Sequence, residues 1–203
     1  MHTHLINNVL ALGVENARTS ELLALTLNTS VDQALSMIES HNFSLAKLMN
    51  SISLSPEVAA RAQVALELSR RVTFAELQRD DAISSPEAAR YYVQSQMRYL
   101  ESEVFACLYL DNHHRPIKFE KLFFGSIAYA SVHAREVVKR CLHHNAAAVI
   151  FAHNHPSGVP TPSEGDISMT AKLKDALHLI DVRVLDHFVV GDTVVSFAER
   201  GLL

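Results

Sequence analysis

The sequence predicts a mixed α/β sheet flanked by helices and preceded by a small all-α bundle. Residues 1–80 carry helix caps and apolar residues at helical spacing. From residue 103 onwards, apolar segments typical of strands alternate irregularly with amphipathic helices, which indicates a sheet covered by helices. Gly191-Asp192 separates two of the apolar segments as a hairpin turn does, so at least one pair of strands is expected to be antiparallel.

The composition limits the class of protein. A chain of 203 residues with 48% hydrophobic content can bury one large core, or a small one followed by a larger one. The net charge of −4 argues against a protein that depends on phosphate contacts. Cys107 and Cys141 lie in apolar segments, and we interpret both as reduced core residues of a cytoplasmic protein. No targeting segment is evident and no apolar run reaches about eighteen residues, so no membrane partner is expected.

We expect two domains, a helical one over residues 1–80 and a second one over residues 81–203. The polar segment 79–85 is predicted to be the linker between them. Caps and apolar periodicity predict the helices of the first domain, which are 21–27, Val31–Ser40 after a Ser30 cap, 45–49, and 55–71.

The second domain is predicted to begin with a helix from Pro86 to about Leu100, whose Tyr91, Tyr92 and Met97 pack on the sheet. Periodicity and turn residues predict the elements that follow. In chain order these are strands 103–110 and 117–124, helix 131–143, strand 147–152, helix Glu164–His178, and the hairpin strands 182–190 and 193–197.

The segment 148–166, AVIFAHNHPSGVPTPSEGD, brings three metal-ligand side chains to one strand end. An apolar strand delivers His153 and His155 at period two, so both imidazoles leave the same face. Proline and glycine residues then keep the chain in a loop until Asp166, in the first turn of a helix. Two histidines and one aspartate suit zinc, and three protein ligands leave the fourth position to water, as in catalytic sites. We therefore predict that His153, His155 and Asp166 bind Zn²⁺ in an open site.

Each of these residues also has a purely structural interpretation. Ser163 and Asp166 fit an S-x-x-D capping box, and a single histidine on a strand is more often a core residue than a ligand. A capping box, however, requires neither the paired histidines nor the Gly/Pro loop, so the combination favours the metal site. For His187, on a strand that could flank the site, a core hydrogen bond is the preferred interpretation.

The order H-x-H, seven residues, Ser, two residues, Asp resembles the JAMM (MPN+, JAB) metalloprotease signature. The longer stretch HNHPSGVPTPSEGD is similar to the version in the RadC (UPF0758) family, and the resemblance covers residues 86–203. It implies a JAB/MPN-like domain with cytidine-deaminase-like layering and zinc held by His153, His155 and Asp166. It also implies that Ser163 lies beside the zinc-bound water and that a glutamate on an earlier strand is the general acid and base.

Three glutamates could supply that acid and base: Glu101, Glu103 and Glu120. Glu103 is favoured because it begins an apolar strand, as a glutamate does in family members. Glu101 remains the alternative, since two residues along a strand preserve the face. The expected function is hydrolysis of a peptide or isopeptide bond in a polypeptide by metal-activated water, with Ser163 offering a hydrogen bond to the water or the developing oxyanion.

The alternative function is a non-catalytic or DNA-repair-associated binding protein. In RadC relatives the N-terminal region resembles a helix-hairpin-helix module, whose Gly-rich hairpins contact DNA phosphates. This chain has no glycine between Leu45 and Ala60, so the module is expected only in degenerate form. Residues 1–80 carry six basic and eight acidic side chains, whereas DNA binding depends on basic ones. DNA is therefore a weaker expectation than a polypeptide.

Overall fold

The computed structural model describes residues 3–12, 14–40, 55–79, 86–98, 100–125 and 132–203. The chain divides into two compact units, Met1–Arg71 and Val72–Leu203. The boundary predicted between residues 80 and 81, the linker after Arg79 and the helix 45–49 lie outside the described residues. Within the described ranges, no helix has both the length and the apolar character needed to cross a membrane.

The first unit is helical, as predicted. Its small core is formed by side chains of three helices and includes Leu23, Leu27, Ile38 and Ala62. Its elements are helix α1 (Thr3–Leu12), a 3-10 turn (Val14–Asn16), helices α2 (Thr19–Leu27) and α3 (Val31–Ser40), and the first part of helix α4 (Pro56–Arg79).

The predicted cap of α3 is confirmed. Ser30 Oγ accepts a hydrogen bond from the Gln33 backbone N–H at 3.2 Å, and Gln33 Oε1 accepts one from the Ser30 backbone N–H at 3.2 Å. This reciprocal pair satisfies two backbone donors that the first helical turn leaves free.

Helix α4 is longer than predicted, because it continues past Arg71 to Arg79. The added turns carry Phe74 and Leu77, which pack into a core of the second unit. The sequence prediction ends this helix at Arg71, and the packing of Phe74 and Leu77 stabilises the turns beyond it.

The second unit contains a five-stranded mixed sheet with strand order β2-β1-β3-β4-β5. Strand β1 is antiparallel to β2 and to β3, β3 is parallel to β4, and β4 is antiparallel to β5. The fold-class prediction is therefore confirmed. The strands are β1 (Val104–Leu110), β2 (Pro116–Phe124), β3 (Ala148–Asn154), β4 (Arg183–Val190) and β5 (Val194–Ser196).

Helices cover both faces of this sheet. Helix α5 (Pro86–Met97) packs on one face, and helices α6 (Ala134–His143) and α7 (Glu164–His178) pack on the other. Strands β1 and β3 are buried along their whole length, as expected of central strands covered on both sides. Helix α7 also provides the crossover that the parallel pair β3 and β4 requires.

The predicted packing of α5 is partly correct. Tyr92 and Met97 are buried against the sheet, but the Tyr91 side chain is 65% exposed. Consecutive helical residues point about 100° apart, so the two tyrosines cannot share one face. Helix α5 also ends at Met97 rather than near Leu100.

Strand β3 extends beyond its predicted end at Ala152 to Asn154. The extension follows from its parallel partner, because His153 pairs with Val189 and Asn154 with Val190 of β4. The first predicted ligand therefore lies inside the sheet, where the backbone on both sides holds it in place.

Candidate metal centre

The candidate metal centre lies where β3 and β4 end and α7 begins. His153 is the next-to-last residue of β3, His155 follows the strand, and Asp166 lies in the first turn of α7. The His155 backbone N–H donates to the Val190 carbonyl at 2.8 Å, which ties the segment after β3 to β4. Strand pairing and the helix start thus bring the three residues to one place.

The three candidate ligand side chains form a compact cluster. The Nε2 atoms of His153 and His155 lie 3.1 Å apart. His153 Nε2 lies 3.4 Å from Asp166 Oδ1, and His155 Nε2 lies 3.9 Å from Asp166 Oδ2. His153 and Asp166 are fully buried, and His155 is 17% exposed. The structure therefore brings together all three residues that the sequence nominated, with the exposed edge of the cluster at His155.

The donor chemistry of the cluster fits a divalent cation. Asp166 Oδ1 is buried without a hydrogen-bond partner, although a buried polar atom normally has one. His155 Nδ1 donates to the Val159 carbonyl at 2.8 Å, so Nε2 of the neutral ring carries a lone pair. Lone pairs and a carboxylate oxygen that point at one another repel unless a cation lies between them. Two imidazoles and one carboxylate are ligands that zinc accepts.

Asp166 is ionised at neutral pH. Burial raises the pKa of its carboxyl, and the hydrogen bonds that it accepts from Ser163 act in the opposite direction, with the net result that the pKa lies below its ordinary value. The amino-terminal end of α7 also favours a negative charge in the first turn. A carboxylate that is already deprotonated can bind a metal without releasing a proton.

Ser163 and Asp166 form the predicted capping box. Ser163 Oγ accepts from the Asp166 backbone N–H at 3.2 Å and donates its own proton to Asp166 Oδ2 at 2.7 Å. The Ser163 backbone N–H also donates to Oδ2 at 2.7 Å. The hydrogen bonds from the Ser163 hydroxyl and from its backbone N–H both go to Oδ2, which leaves Oδ1 free to bind a cation. The capping role of Ser163 is thus established, and its role beside a catalytic water stays a prediction.

Of the three candidate glutamates, Glu120 lies away from the cluster. It is on β2, and its Oε2 lies 3.1 Å from His144 Nε2. Glu103 directly precedes β1 and is half-buried, whereas Glu101 is exposed. Phe105 pairs with His153 in the antiparallel register of β1 and β3. The pairing ends there, and Glu103 lies two residues before Phe105, so Glu103 stays the predicted candidate and Glu101 the alternative.

Asn154 holds the segment that carries both of those glutamates. Its Oδ1 accepts from the Val104 backbone N–H at 2.8 Å. Its Nδ2 donates to the carbonyls of Ser102 at 3.0 Å and Leu100 at 3.3 Å. The residue between the two histidines therefore couples residues 100–104 to the strand that presents the ligands.

Two further residues contact the cluster, and neither is among the site residues that the sequence predicts. His187 Nε2 lies 2.8 Å from His153 Nδ1, and His187 Nδ1 lies 2.6 Å from Thr170 Oγ1. Burial lowers the pKa of His187 well below its ordinary value, so the ring is neutral. Thr170 follows Asp166 by four residues, a spacing that places both on one helix face and could have revealed it.

Comparison with known proteins identifies the family. The family model for a RadC-like JAB domain matches residues 83–202. The protein belongs to the RadC family. The predicted resemblance is therefore confirmed, and all residues of the candidate metal centre lie inside the RadC-like JAB domain.

Relatives match over most of the chain. A UPF0758 protein from Thioalkalivibrio sulfidiphilus is 47% identical over 208 residues, which cover 96% of this chain and 93% of the relative. One from Vibrio vulnificus is 47% identical over 93% of this chain and 91% of the relative. One from Coxiella burnetii is 52% identical over 80% of this chain and 73% of the relative. The similarity thus extends into the helical region that precedes the JAB domain.

Two glycines let the ligand loop of the JAB domain pack against the turn between β4 and β5. Gly158 has φ +85°, a conformation that side chains disfavour. Its carbonyl accepts from the Asp192 backbone N–H at 2.8 Å, and a Cβ on Gly191 would lie 2.3 Å from that same oxygen. The backbone at Gly158 therefore contacts the backbone at Gly191 directly, one residue before the Val159 carbonyl that orients His155.

A Gly191→Ala substitution is expected to destabilise the protein by about 2 kcal/mol, because a backbone clash cannot be relieved by rotating a side chain. The displaced loop should also weaken zinc binding through the Val159 carbonyl. Chemical denaturation and zinc titration measure the two effects. The matched control is Gly165→Ala in α7, whose Cβ meets only Ser163 Oγ at 3.4 Å and should leave stability unchanged or slightly higher. Equal stability of Gly191→Ala and the wild type would contradict the close approach.

Proposed function

We propose that the JAB domain is a zinc-dependent hydrolase that cleaves a peptide or isopeptide bond in a polypeptide substrate. The observation that carries the proposal is the cluster of His153, His155 and Asp166, with the buried Asp166 Oδ1 left without a hydrogen-bond partner. Hydrolytic zinc sites use three protein ligands and keep one position open, whereas structural sites close with four. Among the described residues, no further histidine, cysteine or carboxylate offers a ligand atom to this cluster, since His187 contacts only the far nitrogen of His153.

In this proposal His153 and His155 would hold zinc through Nε2 and Asp166 would hold it through Oδ1. When bound, zinc would lower the pKa of water and polarise a carbonyl group, which is the chemistry that amide hydrolysis needs. Ser163 would keep the Asp166 carboxylate in place through its two hydrogen bonds to Oδ2. The Val159 carbonyl would do the same for the His155 ring.

Glu103 would transfer the proton. It would accept a proton from water as the new C–O bond forms and donate it to the nitrogen as the C–N bond breaks. One water molecule is consumed, and the products are a carboxylate and an amine. Asn154 would keep Glu103 at a constant distance from the ligand strand, since its side chain bonds residues on both sides of Glu103. A hydrogen bond from Ser163 to the developing oxyanion would require its hydroxyl to turn away from Asp166.

The test uses the full chain, stripped of metal with a chelator and then supplied with Zn²⁺ or Mg²⁺. The substrates are a diverse pool of peptides and of peptides joined through lysine side chains. Mass spectrometry in water enriched in oxygen-18 should detect cleavage products whose new carboxyl groups carry the label. We expect cleavage with Zn²⁺ and none with Mg²⁺. Cleavage that survives complete removal of the metal would contradict the proposal.

A further inference from the structure

The structure contains a chain of three hydrogen bonds that begins at the backbone of α7 and ends at His153. Thr170 Oγ1 donates to the Asp166 carbonyl at 2.6 Å. His187 Nδ1 lies 2.6 Å from the same hydroxyl, and His187 Nε2 lies 2.8 Å from His153 Nδ1. All four residues are buried, so no water competes for these bonds.

The position of each proton in this chain follows from the one before it. A hydroxyl has a single proton, and Thr170 donates it to the Asp166 carbonyl. Thr170 must therefore accept a hydrogen bond from His187 Nδ1. The His187 ring is enclosed by aromatic rings, with centroid distances of 4.6 Å to Phe197 and 5.7 Å to Phe105, which disfavours a charged imidazole. With its proton on Nδ1, the neutral ring can only accept at Nε2.

His153 must then donate from Nδ1, which leaves the lone pair on its Nε2. This nitrogen is the one that faces His155 and Asp166. The other tautomer of His153 would place a proton between the ligand atoms, and metal binding would have to displace it. Ligand histidines in general donate their second N–H to a neighbouring acceptor, which fixes the tautomer and orients the ring.

We propose that His187 and Thr170 are positioning residues that hold His153 in the tautomer able to bind zinc. The inference rests on the proposed zinc site and adds to it. The series of hydrogen bonds starts at the carbonyl of Asp166. The helical turn that supplies this proposed ligand therefore also sets the position of the proton on His153. Neither positioning residue would touch the metal.

The experiment measures the His153 tautomer and the zinc affinity in the full chain. Nitrogen-15 NMR of metal-free protein with labelled histidine distinguishes a proton on Nδ1 from one on Nε2, and a His153→Gln variant assigns the signal. Zinc affinity is measured by competition with a chelator. The variants are His187→Phe, which keeps an aromatic ring, and Thr170→Val, which replaces the hydroxyl with a methyl group. Thr170→Ser is the matched control because it retains the hydroxyl.

We expect His153 to carry its proton on Nδ1 in the metal-free wild type. His187→Phe and Thr170→Val should bind zinc about 10- to 100-fold more weakly, as is typical when an outer partner of a ligand is removed. Thr170→Ser should retain near wild-type affinity, a rescue that a mere packing role would not predict. If His187→Phe fails to fold, the Thr170 pair decides the question.

Two results would overturn the inference: a proton on Nε2 of His153 in the metal-free wild type, or wild-type zinc affinity in Thr170→Val. A wild-type chain that binds no zinc would instead refute the proposed function. The tautomer measurement needs no metal and still tests the inference in that case.

Discussion

A His155→Ala variant is expected to contain no stoichiometric zinc, whereas the wild type should bind one ion per chain. The two remaining ligands, His153 and Asp166, cannot complete a site that depends on three. Loss of a direct ligand should weaken affinity by more than the roughly 100-fold that loss of an outer partner can cause. His155 follows β3 and is the most exposed member of the cluster, so the fold should survive the substitution. Elemental analysis and zinc titration of the purified protein measure the effect.

The matched control is His178→Ala. His178 is also a histidine of the JAB domain, but it lies exposed at the end of α7, outside the cluster. Its replacement should leave one zinc per chain. A His155→Ala protein that still holds one zinc per chain would show that the ligand assignment is wrong.

A Glu103→Gln variant is expected to keep zinc and to lose most of its hydrolytic turnover. Glutamine has nearly the same shape as glutamate but cannot accept a proton, and loss of a general acid and base typically lowers turnover about 10²- to 10⁴-fold. Zinc should remain, because Glu103 is not part of the ligand cluster. Turnover at saturating substrate and zinc content are measured on the same preparation.

Glu101→Gln provides the comparison for this prediction, since Glu101 is two residues away on the same tethered segment. Its exposed side chain should be replaceable with little effect on turnover. If the two variants show the opposite pattern, Glu101 is the proton carrier. If both retain full turnover, neither glutamate is, and the mechanism needs another base.

Local signals explain why much of the fold could be predicted. Helix α7 has its predicted bounds, Glu164–His178, because the Ser163 cap and the preceding prolines mark its start within a few residues of sequence. The cap at Ser30 is equally local. The helix α4 and the strand β3 are both longer than predicted, because contacts with residues distant in sequence extend them.

The sequence by itself determined the identity of the three clustered side chains. The spacing of His153 and His155 and the loop to Asp166 are properties of one continuous segment, so the pattern alone could nominate them. The same segment encodes the Ser163 capping box, because a helix cap needs only residues three positions apart.

Only the tertiary structure decided what surrounds those side chains. His187 reaches His153 because β4 lies parallel to β3, and Glu120 is removed from the site because β2 carries it towards His144. Asn154 meets residues 100–104 because β1 is antiparallel to β3. These contacts join residues tens of positions apart, and strand pairing across a sheet depends on the whole fold rather than on any single segment.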